Sequence, residues 1–233
     1  METEWMTIVT ITGALFGLLI SAHFITIRKR GISVRWLGLY TLMLTAGLIE
    51  PYVSRGNLLT SILGGCSLLY GPSLYLYVKS RVLDISRVSA HDVRHLIPFT
   101  IYVLLVVGSW ILPHRSPAKD SAGLDIVLYE LLFMQIFLYL FKTVFFIYRK
   151  KIMNVHEDRD VAKMHIAFLR VLVILSSVLL LGSYLMTHIY LLGNRSLTFE
   201  FKSTVQIGLC SVIFVIALLN TETMHARKLI KSV

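Results

Sequence analysis

The sequence predicts an all-α polytopic membrane protein: a bundle of seven transmembrane helices, N-terminus outside and C-terminus cytoplasmic. Three observations predict it. Of 233 residues, 56% are apolar and only 15% charged, whereas soluble domains carry about 25% charged residues. Long apolar stretches recur along the chain, and basic residues gather in alternate connections between them. The composition excludes a soluble enzyme, a disordered chain and a fibrous repeat. A large extramembrane domain is excluded too, since seven spans of roughly 20 residues use about 140 of those available.

Hydrocarbon offers no water to exposed backbone groups, so each long apolar run is expected to be helical. The first runs from Trp5 to Ile27 and stops at Arg28-Lys29-Arg30. The second runs from Trp36 to Ile49, with Glu50-Pro51 marking its exit and Tyr52-Val53 in the interface. The third, Leu58 to Val78, contains Gly64-Gly65 and Gly71-Pro72. The fourth starts near Leu96 and ends at Leu112-Pro113; the fifth spans Leu124 to Tyr148, the sixth His165 to Leu192 and the seventh Phe199 to Leu219. Residues 1–219 therefore form one seven-helix domain, and residues 220–233 a short cytoplasmic tail.

Charge sets the orientation. With an odd number of spans, 16 of the 23 Lys and Arg residues fall on one side, among them Arg28 to Arg30, Lys79, Arg94, Arg149 to Lys151 and Arg227. Five fall on the other: Arg55, Arg115, Lys119, Arg195 and Lys202. The richer side is expected to be cytoplasmic. An acidic start, Glu2 and Glu4, agrees with an outside N-terminus and argues against a cleaved signal peptide. The net charge of +10 is thus read as topology and attraction to anionic lipid, with no direct nucleic-acid binding by this chain. Cys66 and Cys210 lie in apolar stretches and form neither a disulfide framework nor a metal site.

The stretch Gly71-Pro72-Ser73-Leu74-Tyr75-Leu76-Tyr77-Val78 and the element His95-Leu96-Ile97-Pro98-Phe99 together resemble a known family. They are similar to the seven-helix N-terminal domain of membrane-bound AraC-type transcriptional regulators, common in Bacteroidetes. That family ends its third helix with Gly-Pro-x-x-Tyr-x-Tyr-Val and opens its fourth with His-x-x-Pro-Phe. Looser likenesses are Gly13 to Leu19, Gln135 to Lys151 and Leu169 to Leu172. In the family a helix-turn-helix domain follows the seventh helix, whereas fourteen residues follow Leu219 here. The resemblance implies the sensing half of a signalling architecture without its DNA-binding half.

Ionisable residues inside spans are functional candidates by default, because an unpaired charge in lipid is costly. Glu50, Glu130, His188, Glu200, Lys202 and Gln206 fall in the outer thirds of their helices. Either they build an outward-facing polar pocket for a small ligand or each is simply hydrated at the interface; Glu130, His188, Gln206 and Glu50 are the ligand-binding candidates. Lys142 and Arg170, each about two turns from a cytoplasmic end, are expected to snorkel. His23 is expected to be a packing residue. His91 and His95 stand four apart but lack a third ligand, so no metal site and no cofactor is expected.

Gly71-Pro72 is expected to bend its helix, as a hinge or as a static kink, with Tyr70, Tyr75 and Tyr77 satisfying the freed backbone groups. Gly13, Gly17 and Ser21 form a small-residue stripe for close helix packing, internal or between protomers of a homo-oligomer. Tyr129, Phe133, Phe137, Phe141 and Phe145 make an aromatic row for packing or for lipid. Nucleophile-elbow, zinc-protease and phosphate-loop signatures are missing. A retinal attachment lysine deep in the last helix is missing too, since Lys202 lies near its outer end.

The expected function is that of a non-enzymatic sensor in the bacterial inner membrane, multi-pass in the lipid bilayer and acting through a separate protein partner. The alternatives are an accessory subunit of a larger membrane complex and, third, an intramembrane enzyme or small-solute transporter.

Overall fold

The computed structural model describes residues 2–26, 31–53, 58–83, 85, 87–111, 122–149, 159–191 and 207–216. Among the described residues the regular elements are all helices, with no strand. They are α1 (Glu2–Thr26), α2 (Gly31–Ile49), α3 (Leu58–Gly65), α4 (Tyr70–Val82), α5 (Ala90–Val93), α6 (Ile97–Ile111), α7 (Ala122–Arg149), α8 (Arg159–Leu191) and α9 (Ile207–Ile216). Among the described residues, three stretches are long and apolar enough to cross a membrane: Thr7–Thr26, Gly31–Ile49 and Ala90–Ile111.

Several boundaries differ from expectation; α8 starts at Arg159 rather than His165, and α1 at Glu2 rather than Trp5. The second helix starts at Gly31 rather than Trp36. Gly31 has a φ of 75°, which glycine adopts without steric penalty, and from there nothing in Ile32 to Arg35 opposes a helix. The third apolar stretch is not one helix. It is split into α3 and α4 by a 3-10 turn over Cys66–Leu69. The cause stands just beyond the break: Pro72 has no N–H to offer the Leu68 carbonyl one turn earlier, and its ring crowds that turn.

Helix α2 is the hub, packing on α1 and on α4; α4 packs in turn on α7, α3 on α6, and α7 on α8. Leu37, Tyr40, Leu44 and Leu48 of α2 meet Leu69, Leu74 and Val78 of the third stretch and Leu169, Leu172 and Val173 of α8 in one buried cluster. A buried polar link ties α2 to α8, where the Tyr40 hydroxyl donates to Ser176 Oγ at 2.6 Å. The small-residue stripe lies inside the bundle. A Cβ at Gly13 would run into Cys210 of α9, and one at Gly17 into Thr45 of α2. Ser21 is buried, and its hydroxyl donates to the Leu18 carbonyl at 2.9 Å.

The periphery is apolar. Leu19, Leu105 and Ile111 are each about 70% exposed, and α6 has no buried residue at all. Phe137, Phe141 and Phe145 of the aromatic row are also exposed. Water-soluble monomers rarely present contiguous apolar surface on this scale.

Candidate functional site

The stretch from Gly71 to Val78 and the element from His95 to Phe99 meet in space. Ser89 caps α5 by accepting from the Asp92 N–H at 3.2 Å, and the Ser89 N–H donates back to Asp92 Oδ2 at 3.0 Å. This reciprocal pair turns Ser-Ala-His-Asp into a helical start and aims Asp92 inward. Lys79 in the last turn of α4 donates to Asp92 Oδ1 at 2.7 Å, in a pair whose carboxylate side chain is only 6% exposed. The connection after α4 is thereby pinned back onto the helix it leaves.

One turn past Asp92, the His95 ring lies among aromatic groups from two further helices. Its Nδ1 is 2.6 Å from the Tyr139 hydroxyl of α7. The Tyr75 ring of α4 stands edge-on to it at 5.5 Å, as does the His91 ring at 5.4 Å. Tyr75 also touches Tyr139 and Phe146, and Lys142 Nζ lies 5.6 Å from the centre of the Tyr139 ring. His95 Nε2 is buried and has no hydrogen-bond partner. His91 and His95 thus belong to an aromatic and cationic cluster. Among the described residues no three His, Cys, Asp or Glu side chains come together as metal ligands.

The bend in the third stretch is built into the same contact. Gly71 faces Tyr139, and a Cβ there would sit 2.7 Å from the tyrosine's Cβ. Glycine is what allows α4 and α7 to approach so closely. The Leu68 carbonyl orphaned by Pro72 is not capped by a tyrosine, as the sequence suggested. Gln135 of α7 donates to it from Nε2 at 3.2 Å. The tyrosines are engaged elsewhere, Tyr75 with His95 and the Tyr70 hydroxyl against Gly47.

The outer polar candidates divide. Glu130 accepts from the Tyr184 hydroxyl of α8 at 3.0 Å, and Tyr184 stacks on Phe133. Glu50 follows the last residue of α2; its Oε1 lies beside Gly64, and its charge acts on Cys66, Tyr70 and Tyr102. The described partners of the two carboxylates differ, those of Glu130 lying on α8 and those of Glu50 on α3, α4, α6 and the 3-10 turn between α3 and α4. The side chains of His188, Gln206, Glu200 and Lys202 lie outside the described residues. Lys142 and Arg170 are exposed, Arg170 over the Tyr148 ring at 5.4 Å. His23 is exposed rather than packed inside, its ring 6.0 Å from Phe24.

Sequence reasoning missed Lys79–Asp92, Tyr139 and Gln135. A Ser-x-x-Asp capping signal at Ser89 was available in the sequence; the reach of Tyr139 and Gln135 across to α4 was not. Compared with known proteins, the chain matches no family model, no curated protein and no solved structure.

Proposed function

We propose that the chain is a multi-pass inner-membrane sensing module, non-enzymatic, related to the membrane domain of AraC-type regulators and acting through a separate partner. One observation carries this reading. Gly71, Tyr75 and His95, from the two segments that resemble the family, converge with Tyr139 at the point where the Lys79–Asp92 pair anchors the connection after α4. A change in how α4 packs on α7 would move that connection, which in the proposed topology faces the cytoplasm. The Gly71-Pro72 bend is the hinge, and Glu130, Glu50, His188 and Gln206 are the groups a ligand would address from outside. A ligand shifts the packing only by its difference in affinity for the two arrangements.

The test has two arms. Tags on the two ends of the chain should be reachable from opposite faces of intact cells, and reachability from one face would sink the orientation. Photo-crosslinkers placed at exposed Arg87 and Val88 should capture a soluble or membrane partner, with a yield that changes in Glu130→Gln and His188→Ala. Unchanged yield in both variants would remove the outer residues from signalling.

A further inference from the structure

We propose that the cluster around His95 is a binding site for the phosphate of an anionic lipid headgroup in the cytoplasmic leaflet. The proposal rests on the membrane reading above. It starts from the donors around His95. His95 Nδ1 and the Tyr139 hydroxyl share a 2.6 Å hydrogen bond, and in the tautomer in which the tyrosine donates, the ring proton of neutral His95 is on Nε2. That nitrogen is buried and unpartnered, and buried polar groups are rarely left so. The charged groups acting on His95 are His91, Lys79, Lys142 and Asp92, three of them cationic or potentially so. Asp92 is already engaged, Oδ1 accepting from Lys79 and Oδ2 from the Ser89 N–H. Lys142 and His91 are exposed, and the Lys79–Asp92 pair is the one salt bridge among the described residues. In that tautomer the neighbourhood offers an imidazole N–H, the Lys142 ammonium and the His91 ring as donors, and a phosphate oxygen is a fitting acceptor for them.

Location points to a lipid as the source. Lys142 lies seven residues before Arg149, the end of α7, or about 10 Å along the axis. Lys79 is in the last turn of α4. Beside them the α5 segment exposes Val88, Val93 and Ile97 next to exposed Arg87 and Arg94. That mixture of apolar and basic side chains suits a stretch lying in an anionic membrane surface. Lys142 and His91, the exposed groups among those acting on His95, are the side chains the headgroup phosphate would meet.

The test uses the full chain purified in neutral detergent, with phosphatidylglycerol and phosphatidylcholine offered in equal amounts. Retained lipid is read by native mass spectrometry, and melting temperature is followed in parallel. Phosphatidylglycerol should be retained preferentially and raise the melting temperature. Lys142→Gln should cut the preference about fivefold, the worth of one cation near an anionic surface. His95→Gln should cut it about tenfold, as expected for a hydrogen bond to a charged group. Should His95→Gln fail to fold, His91→Gln, at an exposed position, takes its place with a loss expected in the same direction. Arg170→Gln, an exposed cation elsewhere, should leave the preference intact. Equal retention of the two lipids, or equal losses in Lys142→Gln and Arg170→Gln, would overturn the site. Inorganic phosphate at millimolar concentration is the third arm. If it stabilises the protein as phosphatidylglycerol does, the lipid assignment fails. Recovery of the chain from carbonate-washed membranes tests the membrane reading separately, whatever lipid preference is found.

Discussion

Helices α4 and α6 invert the usual relation between polarity and burial. α4 reads Tyr-Gly-Pro-Ser-Leu-Tyr-Leu-Tyr-Val-Lys-Ser-Arg-Val, and it buries Tyr70 to Leu74, Leu76 to Val78 and Ser80. α6 is nearly all apolar and buries nothing. In water the assignment would be reversed, because exposing α6 would forfeit about 25 cal/mol for each Å² of apolar surface it could have hidden. In hydrocarbon the apolar helix gains nothing by hiding, and the polar one must find partners within the protein. α4 does so: Ser73 and Ser80 donate to carbonyls of their own helix, and Lys79 reaches Asp92. The difference teaches that the helix interior to the bundle is specified by polar satisfaction and close approach, whereas the outer helix belongs to a stretch, Ala90–Ile111, that is long and apolar enough to cross a membrane.

That contrast can be broken or sharpened by substitution. The largest effect is expected at Lys79→Ala, which leaves the Asp92 carboxylate buried without its cation. Breaking such a pair costs about 3 to 5 kcal/mol, read as a lowered melting temperature in detergent and as faster proteolysis between Leu83 and Ser89. Leu104→Lys on α6 should cost about 3 kcal/mol of insertion free energy if that face meets lipid, measured by glycosylation-mapped insertion. A water-exposed position would show at most about 0.5 kcal/mol, and such a result would dissolve the comparison. Gln135→Leu strands the Leu68 carbonyl and should lower thermal stability by about 2 kcal/mol. Glu130→Gln is expected to be smallest, about 0.5 kcal/mol, since the amide oxygen still accepts from Tyr184; thermal unfolding in the same detergent checks it.

Much of this organisation is legible in the chain itself. Long apolar runs announce the helices, and Pro72 announces a break because it lacks an N–H. What sequence could not supply was the partner across the gap. Tyr70, Tyr75 and Tyr77 are the nearest candidates along the chain for the orphaned carbonyl, but the donor that reaches Leu68 is Gln135, from a helix 67 residues away. His91 and His95 invited a metal reading through their spacing of four. Their actual neighbours, Tyr75 and Tyr139, come from α4 and α7 and could be known only once those helices were packed. Glu50 and Glu130 are both expected in the outer thirds of their helices, Glu130 a little deeper, yet depth along a helix does not fix which neighbour it faces, and the fold gives them different companions.

The amide that covers the Leu68 carbonyl has a bearing on evolution as well as on shape. Pro72 sits in the first turn of α4, where proline is tolerated, but the carbonyl one turn back takes its donor from another strut, so Pro72 and Gln135 are expected to be exchanged together. A chain carrying one without the other would hold either an idle amide or a naked oxygen. Restoring a regular turn with Pro72→Ala would make the glutamine dispensable.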